Sequence, residues 1–238
     1  MVRMRALNDT LRYPTEGEKW MRTILIGGIL SLLGFLLIPL LFVYGYLVRV
    51  IRESREGTQD PPSFEDWGDL FVEGLQVFVI GLVYMLIPLI VAAVTIGGAI
   101  LAILTGTDLG MAVGAGGLIF GPLLTMLLTL VFGYVAVAAI VNFALEETFG
   151  AAFDLQTLKS AVLHRDYAVA WILSVVVLVA GAVLGGVISE IPWIGPIIAA
   201  FVGFYAAMVA AVLWGDAFSD AVDEIDSIER PQVGEPTA

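Results

Sequence analysis

GLQVFVIGLVYMLIPLIVAAVTIGGAILAILTGT, residues 74–107, places 34 residues between Glu73 and Asp108 without one charge. A helix rises 1.5 Å per residue and needs roughly 20 apolar residues to cross the hydrocarbon core of a bilayer. The stretch is therefore long enough to span a membrane.

Outward from it, four more uncharged runs cover 23–48, 109–145, 167–189 and 191–215, and the five together hold 145 of the 238 residues. The whole chain is 59% hydrophobic and 14% charged, against about 25% charged in a soluble domain. The polar stretches between the runs are too short to enclose a water-facing core. The expected fold is an all-α integral membrane protein: a single polytopic domain over 1–238 made of helical hairpins, two full and one short or re-entrant, each preceded by a short interfacial amphipathic helix.

The composition excludes several chemistries. There is no cysteine, and His164 is the single histidine; thiolate catalysis, disulfides and Cys/His zinc sites are ruled out, and no cofactor or metal is expected. His164, beside Arg165 and Asp166, reads as a solvated interfacial imidazole. A secretory signal peptide is not expected, because the apolar sequence begins only at Ile24 and no small-x-small cleavage site follows. The net charge of −12 speaks against nucleic-acid binding, which needs a basic face. Abundant acid with only two lysines, Lys19 and Lys159, suggests a salt-loving host. The acidic tail over 219–238 reads as a solvated end.

The basic residues set the orientation. They fall before the first run (Arg3, Arg5, Arg12, Lys19, Arg22), at Arg49, Arg52 and Arg55, at Lys159 and Arg165, and at Arg230. Positively charged loops stay cytoplasmic, so segments 49–73, 146–166 and 216–238 are expected on the cytoplasmic side of a cell membrane, together with the N-terminus. Residues 74–145 and 167–215 then form two in-out-in hairpins. The first run, of 26 residues, gives about 39 Å of helix. It is either a hairpin turning near Gly34 to Pro39, which keeps every basic residue inside, or a single tilted crossing.

Three repeat units, 7–52, 63–146 and 153–218, follow from recurring features. Gly121-Pro122 and Gly195-Pro196 each suit the start of a returning helix, and Asn142 and Asp216 each come 20 residues later. Ser63 followed by Asp66 has the spacing of a helix-capping start, Phe64, Trp67, Phe71 and Leu75 recur at helical spacing, and Leu155, Leu158 and Val162 line one face in the third unit. Thr15 and Glu18 have the spacing of a capping box before Trp20.

Inside the uncharged runs no side chain ionises near neutrality, and without a base no serine there can be activated. The chain is therefore not expected to be an enzyme. Candidates for a polar pathway or boundary lie at the inner ends: Arg49, Asn142, Glu146, Glu147 and Asp216. Proline and glycine at Pro88, Gly97, Gly98, Gly114, Gly116 and Gly117 are candidate helix breaks. Gly181 and Gly185 form a GxxxG pair suited to close helix packing, within the protein or in a homo-oligomer. Trp20, Trp67, Trp171, Trp193 and Trp214 fall near the expected interfaces.

Tyr13-Pro14 to Trp20, then Thr23-Ile-Leu-Ile-Gly-Gly, and above all Gly45-Tyr-Leu-Val-Arg-Val-Ile-Arg through Pro61-Pro-Ser-Phe-Glu-Asp-Trp-Gly-Asp-Leu-Phe-Val-Glu-Gly-Leu resemble the membrane family catalogued as domain of unknown function 4013. The resemblance covers roughly residues 13–218 and implies a polytopic membrane fold and a haloarchaeal type of host. No catalytic or ligand residue can be carried over. It draws attention to Pro61, Pro62, Phe64, Asp66, Trp67 and Gly68, either a binding surface or an interfacial anchor. The leading expectation is an accessory or scaffold protein whose partners are the bilayer and another membrane protein or a second copy; the alternative is a small-solute permease or channel.

Overall fold

The computed structural model describes residues 7–56 and 60–229, with the backbone alone over 223–229. Arg3, Arg5, Arg230 and the last part of the acidic tail lie outside the described residues. Eight helices are present there, and no strand: α1 (Leu7–Arg12), α2 (Trp20–Leu32), α3 (Ile38–Arg55), α4 (Trp67–Leu104), α5 (Asp108–Glu146), α6 (Leu155–Leu163), α7 (Arg165–Ser189) and α8 (Gly195–Glu229). Four helices are long and apolar enough to cross a membrane, namely α4, α5, α7 and α8 as far as Val222. The protein is an all-α membrane protein.

Two compact units divide the chain, one from residues up to 78 and from 138 onward, the other from 79–137. In the first, α7 lies along α8, and α2, α3 and α6 also pack on α8. Gly181 faces Ala206 and Gly185 faces Ala199, so the GxxxG pair serves packing within the chain. Trp214 Nε1 donates to Ser174 Oγ across the same seam at 2.6 Å. In the second unit α4 and α5 meet through small residues: a Cβ on Gly117 would stand 2.6 Å from Ala99 Cβ, and one on Gly121 2.8 Å from Thr95 Oγ1. Their turn is polar, with Thr107 Oγ1 accepting from Gly110 N at 3.0 Å and Gly106 at φ 67°.

Residues 23–48 take the hairpin alternative. A 3-10 turn at Gly34–Leu36 and Leu37 at φ 63° separate α2 from α3. The two helices fold back so that Gly27 of α2 and Tyr46 of α3 both lie against Phe204. The turn donors remain satisfied, Leu36 N on Leu33 O and Leu37 N on Gly34 O, each at 3.0 Å.

Several expectations are corrected. Thr15 sits in a 3-10 turn and donates to Arg12 O at 2.9 Å, and α2 starts from Lys19 without a side-chain cap, so no Thr15/Glu18 capping box forms. The polar leader of the second hairpin is no separate helix: residues 61–66 are non-helical, and Trp67 opens α4 itself. In the third unit α6 is a separate helix, capped by Asp154. Pro88 and Pro122 lie inside continuous helices, whereas Pro196 is the second residue of α8. The two Gly-Pro pairs are thus not equivalent, and the glycine-rich stretches of α4 and α5 do not break them. Asp216 does not end its helix, since α8 runs to Glu229 with Phe218, Ser219 and Ala221 buried; the start of the supposed tail is core.

Candidate functional site

Two arginines one turn apart on α3 organise the start of α4 and the end of α5. Arg49 Nη1 donates to Glu65 O at 2.7 Å and Nη2 to Asp66 O at 3.4 Å, just before α4 begins. Arg52 Nε donates to Ala144 O at 3.1 Å near the end of α5 and lies 3.1 Å from Glu147 Oε1. Both reach Glu73: Arg52 Nη1 at 3.1 Å from Oε1 and Arg49 Nε at 3.7 Å from Oε2. The Glu73 side chain is only 18% exposed, which makes this pairing necessary, because a buried carboxylate without a partner is strongly unfavourable.

The backbone at both contacts is unusual. Asp66 has φ 50° and Glu147 φ 55°, the left-handed region that costs non-glycine residues free energy. Each strained residue flanks a helix end held by one of the two arginines. Of the expected boundary residues, Arg49 and Glu147 thus belong to one ionic cluster. Arg52 and Glu73 complete it and were not singled out in the sequence, although Arg49 and Arg52 three apart on one helix, opposite a glutamate at the end of an uncharged run, were the available signal.

Close to this cluster lies a cavity of about 520 Å³ lined by Arg55, Asn142, Glu146, Ala151, Asp154 and Ser219, among others. Asn142 is buried, and its Nδ2 donates to Ala151 O at 2.8 Å. Glu146 is exposed. Asp154 caps α6, accepting from Thr157 Oγ1 at 2.8 Å and Gln156 N at 3.0 Å. The Thr157 hydroxyl, followed by the backbone donors, lowers its carboxyl below the ordinary value. Asp216 is half-buried in the middle of α8.

The proline-aromatic motif divides in two. Phe64 is buried and stacks on Tyr46 with centroids 4.2 Å apart and planes at 9°, so it is a plug in the core. Trp67 is partly exposed and meets Phe42 edge-on at 5.3 Å. Asp66 and Gly68 are exposed. Pro61 and Pro62 border an acidic groove of about 540 Å³ with Glu16, Glu18, Glu53 and Glu56. Partial burial, then the Glu56 carboxylate, raises the Glu53 carboxyl above its ordinary value. Among the described residues, no cluster of three or more His, Cys, Asp or Glu has metal-ligand geometry.

His164 accepts from Asp166 N at 3.4 Å and caps α7. No curated protein matches the chain, and no solved structure does. Residues 29–190 match the family described as Protein of unknown function (DUF4013). With most of its length matched, the chain belongs to that family.

Proposed function

We propose that this protein is a non-enzymatic accessory or scaffold subunit of a cell membrane, acting by helix packing and partner contact, with both termini on the cytoplasmic side. The supporting observation is where polarity goes. Arg49, Arg52, Glu73 and Glu147 neutralise one another and take up free carbonyls at helix ends, which is a structural use of charge. Meanwhile α4 and α5 run unbroken through Pro88 and Pro122 and present large apolar side chains such as Val94, Leu101, Phe120 and Met126 outward. Such faces suit lipid and a partner helix. The grouping of basic residues supports the orientation.

One observation favours a second reading. The cavity beside Asn142 is of a size that holds small molecules, so a small-solute permease or channel is the competing function. Reconstitution into liposomes with solute and ion flux assays separates the two. Flux lost in Asn142→Leu would defeat the scaffold reading; a stoichiometric membrane partner recovered without flux would defeat the permease.

A further inference from the structure

Residues 147–154, which join α5 to α6, supply part of the cavity wall through Thr148, Gly150, Ala151 and Asp154. The far end is fixed where Asp154 caps α6. The near end is Glu147, whose N–H closes the last turn of α5 on Phe143 O at 3.0 Å while its own φ is 55°. Glycine usually fills this position after a helix because it adopts that backbone without steric cost. Here the conformation is retained while Arg52 holds the Glu147 carboxylate and the Ala144 carbonyl. A second tie runs from Asn142 to Ala151 O.

The two arms of Arg52 differ in exposure. Its Glu73 partner is 18% exposed and its Glu147 partner 65%. Water and salt therefore compete with the second arm far more than with the first. When the Glu147 arm lets go, Arg52 stays in place on Glu73, ready to recapture it.

We propose that residues 147–154 are a strap forming one wall of this partly open cavity, spring-loaded at Glu147 and latched by Arg52, which swings outward by rotation of the backbone at Glu147. This goes beyond the functional reading above and does not depend on it. Swinging outward would widen the mouth of a pocket already lined with polar groups and expose its inner wall at Ser219.

The absence of native cysteine makes the test direct. Ser219 lines the cavity and is nearly buried, so Ser219→Cys in the full-length protein in micelles reports strap opening through its rate of modification by an uncharged thiosulfonate, whose approach is insensitive to salt. Leu155→Cys, on an exposed residue, calibrates the reagent. Glu147→Gln removes the ionic arm and keeps the strain, and should speed labelling about fivefold. Glu147→Gly removes both arm and strain, and should return labelling to within about twofold of the parent. Raising salt from about 0.1 to 1 M should accelerate the parent and leave Glu147→Gln unchanged. Labelling of Glu147→Gln no faster than the parent would overturn the latch. Equal rates in Glu147→Gln and Glu147→Gly would overturn the spring, and a parent rate indifferent to salt would count against the exposed arm.

Discussion

Gly74→Ala is the substitution on which the packing argument is most exposed. Gly74 on α4 meets the backbone of α3: a Cβ there would lie 2.6 Å from the Leu41 carbonyl carbon and 3.0 Å from the Gly45 nitrogen, and nearer still to Leu41 O. These are backbone atoms, so no side-chain rotation relieves the overlap. Carbon atoms in contact prefer about 3.5–4.0 Å, and the helices would have to part by about 1 Å. Overpacking of this kind costs about 1–3 kcal/mol, and the rigid backbone puts Gly74→Ala at the upper end. Gly81, two turns further along α4, has open space around its would-be Cβ, and Gly81→Ala should gain up to about 1 kcal/mol of helix propensity. Both glycines lie inside α4, so that propensity gain is common to the two variants, and the gap between them should approach the overpacking cost of about 3 kcal/mol, a factor above 100 in the unfolding equilibrium. Far-UV circular dichroism during SDS titration of the protein in mixed micelles measures it. Gly45→Ala supplies a cross-check, because Gly45 packs on the backbone of Leu70 at the same crossing. Once the helices have separated, the second alanine should cost less than the first. Equal stability of Gly74→Ala and Gly81→Ala, within about 0.5 kcal/mol, would refute the close crossing of α3 and α4.

The other expectations use the same assay. Leu37 has φ 63° and Leu36 is a comparably exposed neighbour in the same turn; Leu37→Gly should be more stable than Leu36→Gly by about 1 kcal/mol, since only the first relieves a left-handed backbone, and equal values would exclude strain there. Ser174→Ala orphans the indole N–H of Trp214 and should cost about 1–2 kcal/mol, with a shift in the Trp214 emission of a variant retaining only that tryptophan. Glu53 has a raised carboxyl pKa from partial burial and Glu56, so its folded form binds a proton more tightly than its unfolded form. Its ionisation therefore destabilises the fold as pH rises from the ordinary value of 4.5 through the raised one. Glu53→Gln should raise the unfolding midpoint at pH 7, and that gain should vanish below about pH 4.5; a gain independent of pH would point to a different cause.

What the sequence could reveal followed from physical periodicity and solvation. The uncharged runs marked the apolar helices because hydrocarbon rejects charge whatever the fold. Gly181 and Gly185 were legible as a packing face because their spacing alone puts them on one side of a helix, where Ala206 and Ala199 meet them. The helix starts were less legible. Gly-Pro reads identically at 121–122 and 195–196, yet one lies inside α5 and the other opens α8; neighbouring helices supply the stability that lets a proline persist in a helix interior. The ionic cluster was half legible. Arg49 and Glu147 stood out as boundary charges, but nothing local announces that Arg52 reaches Glu73, 21 residues on, and the carbonyl of Ala144, 92 residues on. Those pairings depend on the α3–α4 crossing at Gly45 and Gly74, which is tertiary information.

The most instructive case is the 37-residue uncharged run of 109–145, which is too long to be explained by the bilayer alone. The structure accounts for the excess along α5. Large exposed apolar side chains extend from Leu109 to Val131, about 33 Å of helix, close to the roughly 30 Å hydrocarbon core. Beyond that point the character changes: Ala136, Ala138, Ala139, Val141, Phe143 and Ala144 are buried in protein. Small apolar residues there serve close helix packing, and protein contact excludes charge as effectively as lipid does. An uncharged run therefore measures lipid-facing plus protein-facing helix. Asn142 comes three turns after Val131, at the end of the protein-facing part, so its polarity falls beyond the lipid-facing stretch. For the functional alternatives this matters directly. The cavity lined by Asn142 lies at the protein-facing end of α5, so a permease would need a further polar path along the lipid-facing stretch, where Thr125 and Thr129 supply the hydroxyls of α5.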